Sequence, residues 1–341
     1  MLKVAFRTDV TATIGTGHLS RCLALAEALH SHGTSCTFVF AADAECMVPP
    51  TTGHAERRLS TGAGTAWERD AEATLAVLDP ATDWVVLDHY GLAASWESVL
   101  RRSGHRILVI DDLDDRPHDC DLLLDQAFGR LADHYAGRVP ADCSLLLGPS
   151  FALLRPAFAR AHGTGGFPSA PYRIHLFLGS GAPIGSLPRL ACLLLENFAS
   201  VTVAAVGRAI EDEMTDLGRR FAGRITWQPS VDDMAAHMAS CNVAMGSPGV
   251  ATWERACVGL PAAIMATHAN QIAILGRLDH AGFARYLGEA WALSDESFVR
   301  GAGAFLENTD ALLRYRTVGL NAVDGAGAVR VARAMETWRP G

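Results

Sequence analysis

Short apolar runs bounded by turn residues alternate along this chain with longer stretches whose apolar residues recur every three or four positions. The first pattern predicts buried strands and the second amphipathic helices. In the first half, strands are predicted over 4–7, 36–40, 84–87, 106–110 and 122–124, and helices over 18–31, 67–78 and 96–103. The helix beginning at His18 has a broad apolar face of Leu19, Cys22, Leu23, Leu25, Ala26 and Leu29. The stretch 41–65 is rich in small and turn residues and gives only weak signals. In the second half, strands are predicted over 173–178, 201–206, 225–227, 243–245 and 262–265, with helices over 186–199, 231–240 and 251–258. A final Ala- and Arg-rich helix is predicted over 311–338.

Strand-helix alternation argues for an α/β protein of parallel sheets with helices on both faces. The Gly-, Pro- and Ser-rich stretch 161–171 is the best linker candidate. The expected division is a Rossmann-like N-terminal domain over 1–160, a second over 173–310, and a C-terminal helical segment over 311–341. Doubly wound domains bind ligands outside the carboxyl ends of their strands, so an interdomain cleft is the expected site.

Composition narrows this picture. The chain of 341 residues fits two domains of about 150 residues each. With 49% hydrophobic and 19% charged residues it reads as globular rather than disordered. The net charge of -8, the pI of about 5.9 and the lack of a basic run argue against nucleic acid as a partner. Lys3 is the only lysine, and heavy use of Ala, Arg and Gly suggests a GC-rich genome. No run of 18 apolar residues predicts a membrane span, and residues 1–6 enter a strand pattern without the apolar region of a signal peptide. A cytoplasmic protein with no stable membrane insertion is expected. The eight cysteines are scattered without a C-x-x-C pair, which predicts reduced thiols rather than disulfides or a zinc site.

Candidate chemistry gathers where strands end. Gly15 and Gly17 allow a tight turn and a close approach to a ligand, and His18 then opens a helix. The positive end of that helix disfavours imidazolium, as suits a general base; an ordinary helix-start histidine is the alternative. Ser20 and Arg21 stand where a dinucleotide fingerprint needs its third glycine, so that motif is absent. Asp9 and Asp88-His89-Tyr90 follow strands, where a carboxylate can orient a histidine or a water, or simply close a turn. The acidic stretch Asp111, Asp112, Asp114, Asp115, Asp119 and Asp121 with His118 reads as a solvated turn with helix caps, since no loop motif specifies converging metal ligands. Gly246-Ser247-Pro248-Gly249 joins a strand to a helix whose N-terminus suits a diphosphate. Thr252 lies in the first turn of that helix; Glu254, one turn in, can accept two ribose hydroxyls, pair with Arg255 or cap the helix. Asn270-Gln271 can grip sugar hydroxyls or begin a helix.

Several of these segments together resemble a known family. They are Phe6-Arg7-Thr8-Asp9, Ile14 to His18 with Arg21-Cys22-Leu23, Asp88 to Leu92, and Ile110 to Leu113 continuing through Arg116 to Gln126. Leu147-Gly148-Pro149, Ala152 to Pro156, Thr252 to Arg255 and Gly259-Leu260-Pro261 complete the set. From the N-terminus to about Gly288 the chain resembles the UDP-sugar hydrolase of pseudaminic acid biosynthesis (PseG) and its SpsG-type relatives. The resemblance implies a GT-B fold related to MurG-like glycosyltransferases, with UDP held mainly by the C-terminal domain. It implies a ribose-binding role for Glu254, and a catalytic role for His18 in helping water attack the anomeric carbon with inversion. No metal or other cofactor is implied. The expected UDP-binding set is Gly179, Ser180, Gly246, Gly249, Val250, Thr252 and Glu254. The expected catalytic pair is His18 and Asp9. Gly15, Gly17, Arg21, Asp88, His89, Tyr90, Asn270 and Gln271 are expected to bind substrate.

Three positions depart from the family pattern. Ala182 stands for Asp after the first strand of the second domain, Ala127 stands for Asn after the Asp-Gln pair, and Val250 stands for Ser in the phosphate loop. Each loses a polar group, and a hydrogen bond to a charged group is worth about 1.5–3 kcal/mol. The changes point to an altered sugar and to transfer of that sugar to a small-molecule nucleophile, conjecturally a nucleobase such as cytosine in nucleoside-antibiotic biosynthesis. Hydrolysis with water as acceptor is the alternative, and an inactive sugar-nucleotide-binding protein is a third reading.

Overall fold

The computed structural model describes residues 2–10, 16–44, 53–179 and 182–339. The chain forms two compact units, one of Met1–Arg155 with Ala326–Gly341 and the other of Pro156–Gly325.

In unit 1 the elements run β1 (Lys3–Thr8), α1 (Gly17–His30), β2 (Ser35–Phe40), β3 (Ala55–Arg58), α2 (Trp67–Val77), β4 (Trp84–Asp88), α3 (Ala94–Arg102), β5 (Arg106–Ile110), β6 (Leu122–Asp125) and β7 (Ser144–Leu147). The seven strands form one parallel sheet in the order β3-β2-β1-β4-β5-β6-β7. Every residue of β4 is buried, as expected of a central strand covered on both faces.

Unit 2 begins with α4 (Pro156–Arg160) and β8 (Tyr172–Phe177), then α5 (Ser186–Asn197), β9 (Val201–Val206), α6 (Glu211–Arg220), β10 (Ile225–Gln228), α7 (Met234–Ala239) and β11 (Val243–Gly246). It continues through α8 (Val250–Val258), β12 (Ala262–Ala266), α9 (Ile272–His280), β13 (Arg285–Glu289), α10 (Asp295–Glu307) and α11 (Thr309–Ala322). Its parallel sheet has the order β10-β9-β8-β11-β12-β13. In both sheets the strand order reverses beside the first strand, between β1 and β4 and between β8 and β11. Crevices outside the carboxyl ends of strands at such points are where doubly wound sheets bind ligands.

Two expectations about organisation change. The C-terminal segment is divided between the units. Helix α11 gives Leu312 and Tyr315 to the core of unit 2, and α12 (Gly327–Thr337) gives Ala328, Val331, Ala332 and Met335 to the core of unit 1. Stretch 161–171 is packed within unit 2 rather than serving as a loose linker. Gly163, Gly165 and Gly166 donate backbone N–H groups to Cys257, Val258 and Cys241. The Arg316 guanidinium gathers the carbonyls of the same three glycines. A Cβ on Gly165 would stand 2.5 Å from the Val258 carbonyl, so glycine serves close approach here, not flexibility.

The seven described cysteines, Cys22, Cys36, Cys120, Cys143, Cys192, Cys241 and Cys257, are free thiols; Cys46 lies outside the described residues. Among the described residues no helix is long and apolar enough to cross a membrane.

One feature of the unit 2 core predicts an acid limit to stability. His175 in β8 is fully buried, and neither ring nitrogen has a hydrogen-bond partner among the described residues. Burial, with the nearby Arg255 and His237, drives its pKa well below the usual value. The unfolded chain takes up a proton near pH 6.5 and the folded chain does not, so stability falls as pH drops below that point. The loss from this one group is about 1.4 kcal/mol per pH unit while the folded ring stays neutral. Thermal unfolding from pH 7 to 5 is expected to show a shallower decline in His175→Leu than in the unaltered protein. Parallel declines would remove His175 as the cause.

Candidate active site

Side chains from the ends of β1, β4 and β5 meet the first turns of α1. Asp88 is the last residue of β4 and only 1% exposed. Its Oδ1 faces His18 Nδ1 at hydrogen-bond range. Arg21, one turn beyond His18 on the same helix face, forks onto the same carboxylate, with Nε to Oδ2 and Nη2 to Oδ1 both at 2.6 Å. Its Nη1 reaches Asp112 Oδ2 at 3.1 Å, and Tyr90 gives its hydroxyl proton to that same oxygen at 3.3 Å. The Tyr90 ring stands edge-on to His18 with centroids 4.7 Å apart.

Burial would raise the Asp88 pKa, but the Arg21 guanidinium and the His18 ring outweigh it and hold the carboxyl well below the usual carboxylate range. An ionised carboxylate only accepts, so His18 Nδ1 carries the ring proton and donates it to Asp88. That tautomer leaves a lone pair on Nε2, which has no hydrogen-bond partner among the described residues. A histidine oriented by a buried aspartate, with its far nitrogen unprotonated, is built to accept a proton. Burial and Asp112 push the Tyr90 phenol well up, so Tyr90 serves as a hydrogen-bond donor rather than an anion.

The expected residues sort differently in space. No hydrogen bond or ion pair joins Asp9 to His18. Its carboxylate accepts from the Ala41 N–H at 2.8 Å, pairs with Arg7 at 2.9 Å and lies 3.4 Å from His89 Nε2. Burial opposes its ionisation, but His89 and Arg7 win and hold its pKa below the usual value. Arg7 in turn is clamped by Asp70 of α2, which also accepts from Trp96 Nε1 at 2.9 Å. Asp88, expected to bind substrate, is therefore the partner that orients His18, and Asp9 instead fixes His89. His89 accepts the Gly91 N–H on Nδ1 at 3.0 Å, which leaves Nε2–H to face Asp9. Arg21 is 4% exposed and committed to two carboxylates, so it is not placed to grip a substrate. Gly17 is the first residue of α1, while Gly15 lies outside the described residues.

The acidic stretch is mostly not solvated. Asp111 is buried and accepts from the Tyr135 hydroxyl at 2.9 Å and from the Leu113 and Asp114 N–H groups. Asp119 and Asp121 share Arg101, and His118 pairs with the buried Glu97 at 2.7 Å. Asp115 alone of these aspartates is exposed.

In unit 2 the loops after β8, β11 and β12 lie side by side at the switch point. Gly246 ends β11 at φ +153°, and a Cβ there would collide with the Phe177 carbonyl at 1.8 Å, so only glycine fits. Gly249, at φ +87°, caps the start of α8. The fully buried Arg255 holds the loop from below, with Nη1 on the Ser247 carbonyl at 2.8 Å and Nη2 on the Phe177 carbonyl at 3.0 Å. Burial pulls its pKa down to about 10. Val250 is the first residue of α8, and the Thr252 hydroxyl in the same turn is buried with no partner among the described residues. Glu254 is half-buried one turn on.

Gly179 follows β8 at φ +77°, 3.2 Å from Ser247 Oγ when a Cβ is built on it, and Ser180 lies outside the described residues. A cavity at this end of the sheet is walled by Leu178, Ala182, Pro183, Ser247, Met265 and Thr267. Asn270 is exposed. Gln271 Oε1 accepts from the N–H groups of Thr267 and His268 and from the Thr267 hydroxyl, so its carbonyl closes its own loop. Sequence reasoning missed Asp112, and it missed the pairing of Asp88 with His18. The signal for the pairing was the end of β4, but it becomes readable only once β4 is known to lie beside β1.

No protein-family model matches the chain. The chain is 30% identical over 159 residues to the UDP-2,4-diacetamido-2,4,6-trideoxy-beta-L-altropyranose hydrolase of Campylobacter jejuni, covering 46% of this chain and 53% of the relative. It thus spans about half the length of that curated relative. MurG of Acinetobacter baumannii is similar in structure, with a TM-score of 0.69 at 13% identity over 99% of this chain and all of that one. UGT71G1 of Medicago truncatula, solved with UDP-glucose, has a TM-score of 0.66 at 11% identity over 98% of each chain. The chain is a GT-B-fold protein with two Rossmann-like units, and over about half its length it is similar in sequence to a UDP-sugar hydrolase of the PseG type.

Proposed function

We propose that this protein is an enzyme that breaks the anomeric C1–O(phosphate) bond of a UDP-sugar with inversion and transfers the sugar to a small-molecule nucleophile. The observation that carries the reading is the buried Asp88–His18 pair at the switch point of unit 1, with Nε2 of the imidazole left to take a proton. Unit 2 carries a glycine-shaped loop leading into the N-terminus of α8, an element suited to a diphosphate. His18 Nε2 takes the proton of the nucleophile as it attacks C1, and the electron pair of the breaking bond leaves on the β-phosphate oxygen of UDP. The N–H groups and partial positive charge at the start of α8, with the Thr252 hydroxyl, stabilise the departing diphosphate. One in-line displacement inverts the anomeric centre. The Tyr90 ring stands edge-on to the base, Asp9 fixes His89, and Tyr90, His89 and Asn270 are assigned to substrate.

Transfer to a nucleophile of the nucleobase class rests on the apolar replacements. Val250 opens α8 without a hydroxyl, and Ala182 lines the cavity beside the donor loop. Hydrolysis is the second reading, favoured by the identity to a UDP-sugar hydrolase. A panel of UDP-sugars separates them. UDP released only when a nucleophile is added supports transfer, and UDP released in water alone supports hydrolysis. Binding across the panel with no turnover would overturn the enzyme reading.

Glu254 is assigned to the ribose. Glu254→Ala is expected to weaken UDP binding about ten- to a hundredfold in calorimetry, the loss of one or two hydrogen bonds to a charged group, with a smaller change in kcat. Unchanged UDP affinity would rule the assignment out.

A further inference from the structure

Arg21 is fully engaged yet touches the chemistry only through its neighbours. Its fork meets both oxygens of Asp88 at 2.6 Å, its Nη2 lies 3.2 Å from His18 Nδ1, and its Nη1 meets Asp112 at 3.1 Å. An aspartate paired with histidine alone favours imidazolium, because the cation gains an adjacent anion. A base in that state would reach neutral pH already protonated. A guanidinium on the same carboxylate cancels that anion and repels a second positive charge beside it.

We infer that Arg21 and Asp112 are positioning residues that set the charge of the His18–Asp88 pair, Arg21 keeping His18 neutral and Asp112 limiting that effect by drawing on the same guanidinium. The groups that face His18 fit this balance. Asp88 comes from β4, Arg21 from its own helix, and Tyr90 from the loop after β4. Asp112 enters from the end of β5 through Arg21 and Tyr90, and the Cys22 thiol donates to Asp88 Oδ2 at 3.5 Å. The two substitutions therefore act with opposite sign: loss of Arg21 uncovers an anion, and loss of Asp112 removes one.

This inference rests on the reading of His18 as a base, but its test needs no substrate. Imidazole resonances of histidine-labelled protein are titrated by NMR, with His18 assigned by the peak missing from His18→Asn. In Arg21→Met the His18 ring is expected to protonate about one pH unit or more higher than in the unaltered protein, within the range for an uncompensated neighbouring charge. In Asp112→Asn it is expected to protonate at lower pH, and in Arg21→Lys between the unaltered protein and Arg21→Met. Asp112 is partly exposed, so Asp112→Asn keeps the test open even where Arg21→Met does not fold. An unchanged or raised midpoint in Asp112→Asn, or an unchanged or lowered one in Arg21→Met, would overturn the inference. On an active UDP-sugar the acid limb of kcat/KM is expected to move with the midpoint. Shifts in the midpoint without any turnover would sink the proposed reaction while leaving this assignment standing.

Discussion

His18→Ala is expected to lose about 10²-fold or more in turnover while UDP affinity stays unchanged. General-base loss is worth about 10²–10⁴ in rate, because the nucleophile must then shed its proton to solvent as it attacks. UDP affinity is expected to be spared because the residues proposed to hold UDP, in the loop before α8 and in α8 itself, belong to unit 2, whereas His18 belongs to unit 1. The comparison requires kcat on an active UDP-sugar and calorimetry with UDP on the same preparations. Turnover retained within a few-fold would remove His18 from the chemistry. A parallel collapse of UDP affinity would mean that the substitution had damaged the fold rather than the base.

Asp88→Asn is expected to be of similar size, about 10²–10⁴ in kcat, for a different reason. The amide keeps the shape of the carboxylate but can present N–H to His18 Nδ1. The ring then places its proton on Nε2, the nitrogen that must accept one. Arg21 also loses its bidentate partner, and breaking one side of a buried ion pair costs about 3–5 kcal/mol of stability. Turnover is therefore compared on protein shown to be folded by its thermal transition. Asp9→Asn provides the contrast, because Asp9 reaches His89 and Arg7 but not His18. It is expected to reduce kcat less than Asp88→Asn does. Equal losses would return Asp9 to the catalytic pair and remove the special standing of Asp88.

The fold was legible where strands are buried on both faces. β4, β5 and β12 are built on continuous apolar runs of four or five residues, and the helices around them repeat at helical spacing. The strands that escaped notice, β3, β7 and β13, all lie at sheet edges. There one side is solvated and the sequence need not be apolar, as Ala55-Glu56-Arg57-Arg58 illustrates. Helix α6 escaped for a related reason, since Met214 and Leu217 are its only buried side chains. Composition alone cannot separate flexible glycines from glycines of close approach, which is why stretch 161–171 looked like a linker. The break between α11 and α12 has the same origin. Gly325 sits at φ +81°, and a Cβ there would lie 2.6 Å from Ala159 Cα.

The site was legible as loops rather than as contacts. The strand-turn-helix loops at His18 and at Gly246 to Gly249 carry their meaning in local sequence. The pairing of His18 with Asp88 joins residues 70 positions apart and depends on β4 lying beside β1. Arg21 was visible as a neighbour of His18 on α1, but its commitment to Asp88 and Asp112 was not. A cation near a suspected sugar-nucleotide site invites a substrate-binding role until its partners are seen.

Oxygen labelling shows whether the C1–O bond of the UDP-sugar breaks by attack at carbon. An active UDP-sugar is turned over in ¹⁸O-enriched water and the products are weighed by mass spectrometry. Attack at C1 leaves the bridging oxygen on UDP, so UDP without label is expected. Label on the sugar would then mark water as the acceptor, and its absence there would mark the added nucleophile. Label in the β-phosphate of UDP would show attack at phosphorus and exclude cleavage at C1.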